Sequence, residues 1–191
     1  MQKRLKSRSL FIALIALVGS LFLGNSSYLF AKAELAQYLL NQAWDSSQES
    51  GIAVPPWPWA DTKPLVKLNF GSQHLSYIVM TGSSGRTLAF APGHLSGTAL
   101  PGNVGHSIVS AHRDTHFKIL QHLVTGDIIS TESLNKQITL YKVTDITIVD
   151  IRTQPLILTP EKNRLTLITC YPFDALTAGS YFRYQVDAIR I

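Results

Sequence analysis

One cysteine, Cys170, stands in 191 residues, and no second thiol exists to pair with it. An internal disulfide is therefore excluded, and an exported chain would carry that thiol unpaired. Acids are also scarce, 12 Asp and Glu against 17 Lys and Arg, for a net charge of +5. Lys3, Arg4, Lys6 and Arg8 meet no acid within the first nine residues, and without them the remaining 182 carry +1. A groove for polyphosphate needs its basic residues on the folded domain, so nucleic acid is excluded as a partner. No Gly-x-Ser-x-Gly elbow occurs, which removes the usual serine hydrolase, and there is no internal repeat or low-complexity tract.

What is present is a packable chain with an apolar start. Hydrophobic residues make up 46% against 15% charged, enough for a real core. The length suits one anchor and one domain of about 100–150 residues. No charge falls between Ser9 and Ala31. The densest apolar part, Leu10 to Leu23, has 14 residues, and counting on to Phe30 gives 21. A cleaved signal peptide fits the short centre and the Ala31-Lys32-Ala33 triplet. An uncleaved anchor fits the full run and the basic start, which would stay cytoplasmic. The triplet lies about eight residues past the centre, farther than cleavage usually falls, which favours the anchor.

The chain therefore divides into a signal anchor at 1–31, a juxtamembrane helix with a Pro/Trp-rich linker at 32–60, and a folded domain at 61–191. Ala33 to Trp44 has one polar stripe and a broad apolar face, the pattern of a helix. Asp45 to Gly51 reads as a turn, and Pro55-Pro56-Trp57-Pro58-Trp59 as a stiff strap. Strand patterns follow at 64–70, 74–80, 87–91, 106–110, 127–131, 137–151 (in two pieces), 165–170 and 181–189. In the last, Phe182, Tyr184, Val186 and Ala188 form an apolar face, and Tyr181, Arg183, Gln185 and Asp187 a polar one. One short helix is expected at 116–124. The fold class is mostly β: a closed or nearly closed antiparallel barrel of about eight strands with short helices, preceded by a membrane helix.

Cys170 ends the apolar run Arg164-Leu165-Thr166-Leu167-Ile168-Thr169 and precedes Tyr171-Pro172, so it falls at a rim where the chain turns away. A buried core thiol is the plain alternative. A thiol becomes a nucleophile beside a group that favours thiolate, commonly an imidazolium or guanidinium. His112 ends another strand and opens a polar cluster, Arg113-Asp114-Thr115-His116, that could orient its ring. Arg183 lies on the polar face of the last strand. Each alone could be an ordinary surface residue. His112-Arg113-Asp114 also matches part of a kinase loop, without the rest of a kinase. His112 and His116 have zinc-helix spacing, but Arg replaces Glu after the first and no third ligand is evident. No metal is expected.

Thr166-Leu167-Ile168-Thr169-Cys170 resembles the Thr-Leu-x-Thr-Cys signature of sortases. His112 to Phe117 is similar to that family's histidine loop, and Arg183, thirteen residues after the cysteine, stands at the family's arginine. The loop Ala91 to Gly102 and Gly126-Asp127 agree as well, so the likeness runs from about Pro64 to Ile191 in family order. The anchor, the Trp-Pro-Trp linker and the motif spelling look closest to sortases of Gram-negative marine proteobacteria. Ala111 departs from the glycine usual before the histidine, and His106 from the usual asparagine. Both touch loop geometry, not a catalytic group.

The resemblance implies a cysteine transpeptidase with Cys170 as nucleophile, His112 as acid and base, and Arg183 as stabilising cation. It implies substrate contacts at Thr169, Ala111, Arg113 and Tyr171. The expected partners are a secreted protein with a C-terminal Leu-Pro-x-Thr-Gly-like sorting signal and an amine acceptor. The expected place is the inner membrane, single-pass, with the domain on the periplasmic side. No cofactor is expected, and no acidic cluster suggests calcium. Two other readings stay open: a thiol peptidase that only hydrolyses, and a non-catalytic peptide-binding envelope module.

Overall fold

Alternating burial at one end of the chain and unbroken burial at the other organise the barrel. A computed structural model describes residues 2–155, 158–159, 163–175, 177 and 179–191, with side chains from residue 11 onward. Strand β1 (Pro64–Phe70) alternates strictly, sending Val66, Leu68 and Phe70 into the core. It pairs antiparallel with β2 (Leu75–Thr81) on one side and β5 (Ile128–Ser133) on the other. Two residues form β3 (Gly93–His94), which runs parallel to β2 and antiparallel to β4 (His106–Ser110). The remaining strands are β6 (Ile138–Asp150), β7 (Arg164–Tyr171) and β8 (Phe182–Arg190). They close the barrel in the order β1-β2-β3-β4-β7-β8-β6-β5.

The sequence led to the expectation of an antiparallel barrel, but β2–β3 and β4–β7 are parallel pairs. Parallel strands are covered on both faces. Accordingly Ser107, Ile108 and Val109 of β4 and Leu165, Thr166 and Leu167 of β7 are all buried in succession.

Several local expectations change. The run 87–91 is not a strand: Gly85–Leu88 forms a single helical turn, α2, whose N-cap Ser84 Oγ accepts from the Thr87 N–H at 3.2 Å. Strand β6 is one strand and not two. A bulge between Val143 and Asp145 inserts Thr144 and switches the inward file from Tyr141 and Val143 to Ile146. Asp187 is not on a solvated face but 5% exposed, and Phe182, assigned to the apolar face, is 44% exposed. The expected helix at 116–124 is a 3-10 helix, His116–His122, kinked at Phe117. Gly93 has a steric cause, since a Cβ there would meet the Gly82 carbonyl oxygen at 2.2 Å.

Two compact units are present, residues 1–38 and 39–191. One helix, α1, runs from Gln2 to Ser50. In the first unit its large apolar side chains from Phe11 to Phe30 face outward all round, and the segment is long and apolar enough to cross a membrane. In the second unit Leu40 and Trp44 are buried with Ile78, Met80 and Ala91, and Lys67 Nζ sits 5.1 Å from the Trp44 ring centroid. The expected turn at 45–51 is helix as far as Ser50, where Gly51 at φ +69° ends it. Beyond it Trp57 packs edge-on against Phe90, while Trp59 is 82% exposed.

Candidate active site

Register sets the site. In the parallel β4–β7 pair Ser110 stands opposite Ile168. Past the last ladder pair the Ala111 N–H still donates to the Ile168 carbonyl, and His112 comes next as the chain leaves β7. On the other flank of β7, the antiparallel pairing sets Cys170 directly opposite Arg183. Cys170 and Arg183 thus face each other across β7–β8, and His112 follows two residues after the end of β4, the strand on the other flank of β7.

The backbone at this rim is tied across the strands. Thr169 is buried, and its Oγ1 donates to the Ala111 carbonyl at 2.7 Å. Ala111 N–H donates to the Ile168 carbonyl at 3.4 Å. These contacts occupy Thr169 and Ala111 with each other, one residue before Cys170 and His112 respectively. Cys170 is half-buried with a free thiol, so the sulfur is supported by the barrel without being sealed inside it. His112 is exposed, and its carbonyl accepts from Phe117 N–H at 3.0 Å, which starts the 3-10 helix.

Arg183 Nη1 donates to the carbonyls of Ser180 at 2.6 Å and Phe182 at 2.9 Å. Among the described residues these are its side-chain bonds, so the guanidinium is held through one nitrogen, leaving Nε and Nη2 to act elsewhere. Arg113 Nη2 donates to the carbonyls of Ala175 and Thr177 at 2.9 and 2.7 Å. Tyr171 stacks near Tyr184 at 6.2 Å, and Phe173 meets Tyr184 edge-on at 5.0 Å, an aromatic cluster just past the thiol.

Two groups near the site escape a reading by sequence alone. His116 packs edge-on against Tyr77 at 5.5 Å. Burial, and then the neighbouring His112, hold it below the usual histidine range, while a bond to the Phe90 carbonyl opposes them. The second is a buried polar chain under the rim. The Thr159 N–H donates to His106 Nδ1 at 3.2 Å, which leaves the proton on Nε2. Nε2 donates to Thr166 Oγ1 at 2.7 Å, and that hydroxyl donates in turn to Asp187 Oδ1. Gln185 Nε2 and Arg164 Nη1 attend Asp187 Oδ2 at 2.8 and 3.9 Å. Burial and then Arg164 push His106 below its usual range, partly offset by Asp187. The available signal was spacing: positions 166, 168 and 170 share a face with 183, 185 and 187.

A charge-ready rim on three strands is suited to attack by sulfur on a carbonyl, with a cation beside it and an imidazole to move the proton. A family model described as a sortase domain matches residues 69–190. Sortase A from Corynebacterium diphtheriae is 26% identical with a TM-score of 0.60, covering 70% of this chain and 63% of that one. Sortase C1 from Streptococcus agalactiae is 28% identical with a TM-score of 0.58, covering 67% of each chain. A Clostridium perfringens sortase D5 transpeptidase shares the fold at 18% identity, with a TM-score of 0.63 over 83% of this chain and 99% of that one. No curated protein sequence matches significantly.

Proposed function

The chain belongs to the sortase family, and from that premise we propose that it is a membrane-anchored cysteine transpeptidase acting on a Leu-Pro-x-Thr-Gly-like signal near the C-terminus of a secreted protein. The supporting observation is the strand register that sets Cys170 opposite Arg183 across β7–β8, with β4, the strand that leads to His112, on the other flank of β7.

In this scheme the Cys170 thiolate attacks the carbonyl carbon of the signal's Thr. Arg183, fixed through Nη1, offers Nε and Nη2 to the oxygen as it gains charge; removing one such donor typically costs about 10²–10³-fold. The C–N bond breaks as His112 gives its proton to the leaving amine. The acyl group is left as a thioester on Cys170. An incoming amine attacks that thioester, His112 takes the amine's proton, and the C–S bond breaks to return the thiolate. Amines attack thioesters well even with water present, which suits transfer over hydrolysis. Thr169, Ala111, Arg113 and Tyr171, the substrate contacts that the family likeness implies, each adjoin Cys170 or His112 in the chain.

The basic residues ahead of the apolar helix favour a cytoplasmic N-terminus, which leaves the barrel on the periplasmic side of an inner membrane. The linker and motif spelling support a setting among Gram-negative marine proteobacteria.

The full chain in detergent, mixed with a sorting-signal peptide and an amine, tests the reading. A covalent acyl adduct on Cys170 should be visible by mass and absent in Cys170→Ala, with His112→Ala and Arg183→Ala each slowing turnover about 10²–10⁴-fold. Turnover persisting in Cys170→Ala would end the assignment. The ratio of amide to acid product, with and without amine, separates transfer from hydrolysis.

A further inference from the structure

Two ties join the segment that carries His112 to the segment that carries Cys170. Ala111 precedes His112 and accepts from Thr169, which precedes Cys170. Arg113 follows His112 and donates from Nη2 to Ala175 and Thr177, in the turn that leaves Cys170. The inner tie is a buried hydroxyl bond of 2.7 Å. The outer tie is a pair of charge-assisted bonds at 2.9 and 2.7 Å, between segments 62 and 64 residues apart in the chain.

Arg183 holds the same turn from the other end, through Ser180 and Phe182. Its contacts are local, to its own strand and the approach to it. Arg113 instead connects two strand ends that share no ladder beyond Ser110 and Ile168. Both hydrogens of its Nη2 are committed to protein carbonyls. That distinguishes its role from the substrate contact the family likeness implies for this position.

We propose that Arg113 is a positioning residue for the thiol–imidazole pair: the outer of two ties that hold His112 at working distance from Cys170. The inference rests on the transpeptidase reading of those two groups. His112 is exposed and sits in a loop, with the Phe117–carbonyl bond at 3.0 Å as its backbone anchor. Untied on the outer side, the loop and the turn can drift apart. A misplacement of about 1 Å is enough to cost 10²-fold in a reaction that needs alignment.

The test uses the rate of Cys170 alkylation by iodoacetamide from pH 5 to 9, in the full chain in detergent, as a readout of imidazole–thiol coupling. In the native background His112→Ala should slow alkylation near neutrality by about tenfold or more. In an Arg113→Met background, which keeps the apolar stem and removes the donors, the same change should alter the rate less than about twofold. Arg113→Met alone should slow alkylation near neutrality by about as much as His112→Ala does. An undiminished His112 effect in Arg113→Met overturns the inference while leaving the catalytic reading intact. Native alkylation that ignores His112→Ala overturns both. Should Arg113→Met fail to fold, Arg113→Gln carries the same comparison, since its shorter amide cannot span both carbonyls.

Discussion

The β5–β6 side and the β4–β7 side of this barrel use similar residues and bury them differently. On β6, inward Tyr141 and Val143 alternate with Ile138, Leu140 and Lys142 on the solvent side. On β4 and β7, both faces are covered, and the outward file that would be wet elsewhere holds Ile108, Thr166 and His106, all buried. One face therefore serves stability on the β6 side, while the β4–β7 pair keeps one file for the core and a second for the polar chain below the thiol. The enclosed region is where substitutions should be felt most.

Equivalent truncations on the two sides make the sharpest comparison. Leu167→Ala, on a residue with no exposure, removes core contacts and should destabilise by about 2–5 kcal/mol in chemical denaturation. Ile138→Ala on β6, where the side chain is 68% exposed, should stay within about 0.5 kcal/mol. Equal losses at the two sites would remove the distinction between the two sides.

A polar exchange probes the outward file itself. Thr166→Val preserves shape but deletes the hydroxyl that accepts from His106 and donates to Asp187. The His106 Nε2–H and one carboxylate oxygen then lose a buried partner, at a cost of about 1–3 kcal/mol. Thr147→Val on the half-exposed part of β6 should be near neutral by the same denaturation measurement. A neutral Thr166→Val would mean that water reaches this chain and that the file is not closed.

This difference also explains how far the sequence could be read. Where burial has period two, as in β1, the strand is legible to its ends: 64–70 in both readings. β4 matches at 106–110 because a short apolar run sits between turns. β3 has two residues and so no period to see, and the barrel's parallel pairs follow from it and from the β4–β7 crossover. In β6 the extra Thr144 reverses the parity, which makes one strand look like two. Asp187 alternates correctly but onto a face that other parts of the fold cover, so its burial is a tertiary fact. At the site, the motif around Cys170 could be recognised, and the β7–β8 register explains why the distant Arg183 faces it. The carbonyls that Arg113 reaches have no sequence signature, because any residue at 175 or 177 offers the same acceptor.

The smallest effect concerns acid. His94, His106 and His116 are each held below the usual histidine range, with burial the first cause in every case. The Ala99 carbonyl opposes the shift at His94, Asp187 opposes it at His106 where Arg164 reinforces it, and the Phe90 carbonyl opposes it at His116. A depressed histidine is neutral in the fold and takes up a proton more readily once unfolded. The unfolded state then binds more protons below about pH 6.5, so stability is complete above that value and declines as pH falls toward the lowered folded values. The melting temperature should be level from pH 8 to 7 and drop by a few degrees toward pH 5, at about 2–4 °C per kcal/mol for a chain of this size. β5 and β6 contain no histidine, so the loss should be regional. Hydrogen-exchange protection, corrected for intrinsic rates, should weaken in β3, β4 and the 116–122 helix before it weakens in β5 and β6. Protonation of His106 removes the acceptor at Nδ1 that holds the Thr159 N–H, giving β4 a specific bond to lose. Protection falling uniformly across both sides would show that acid acts on the barrel as one unit, and the contrast between its two sides would then be static and not energetic.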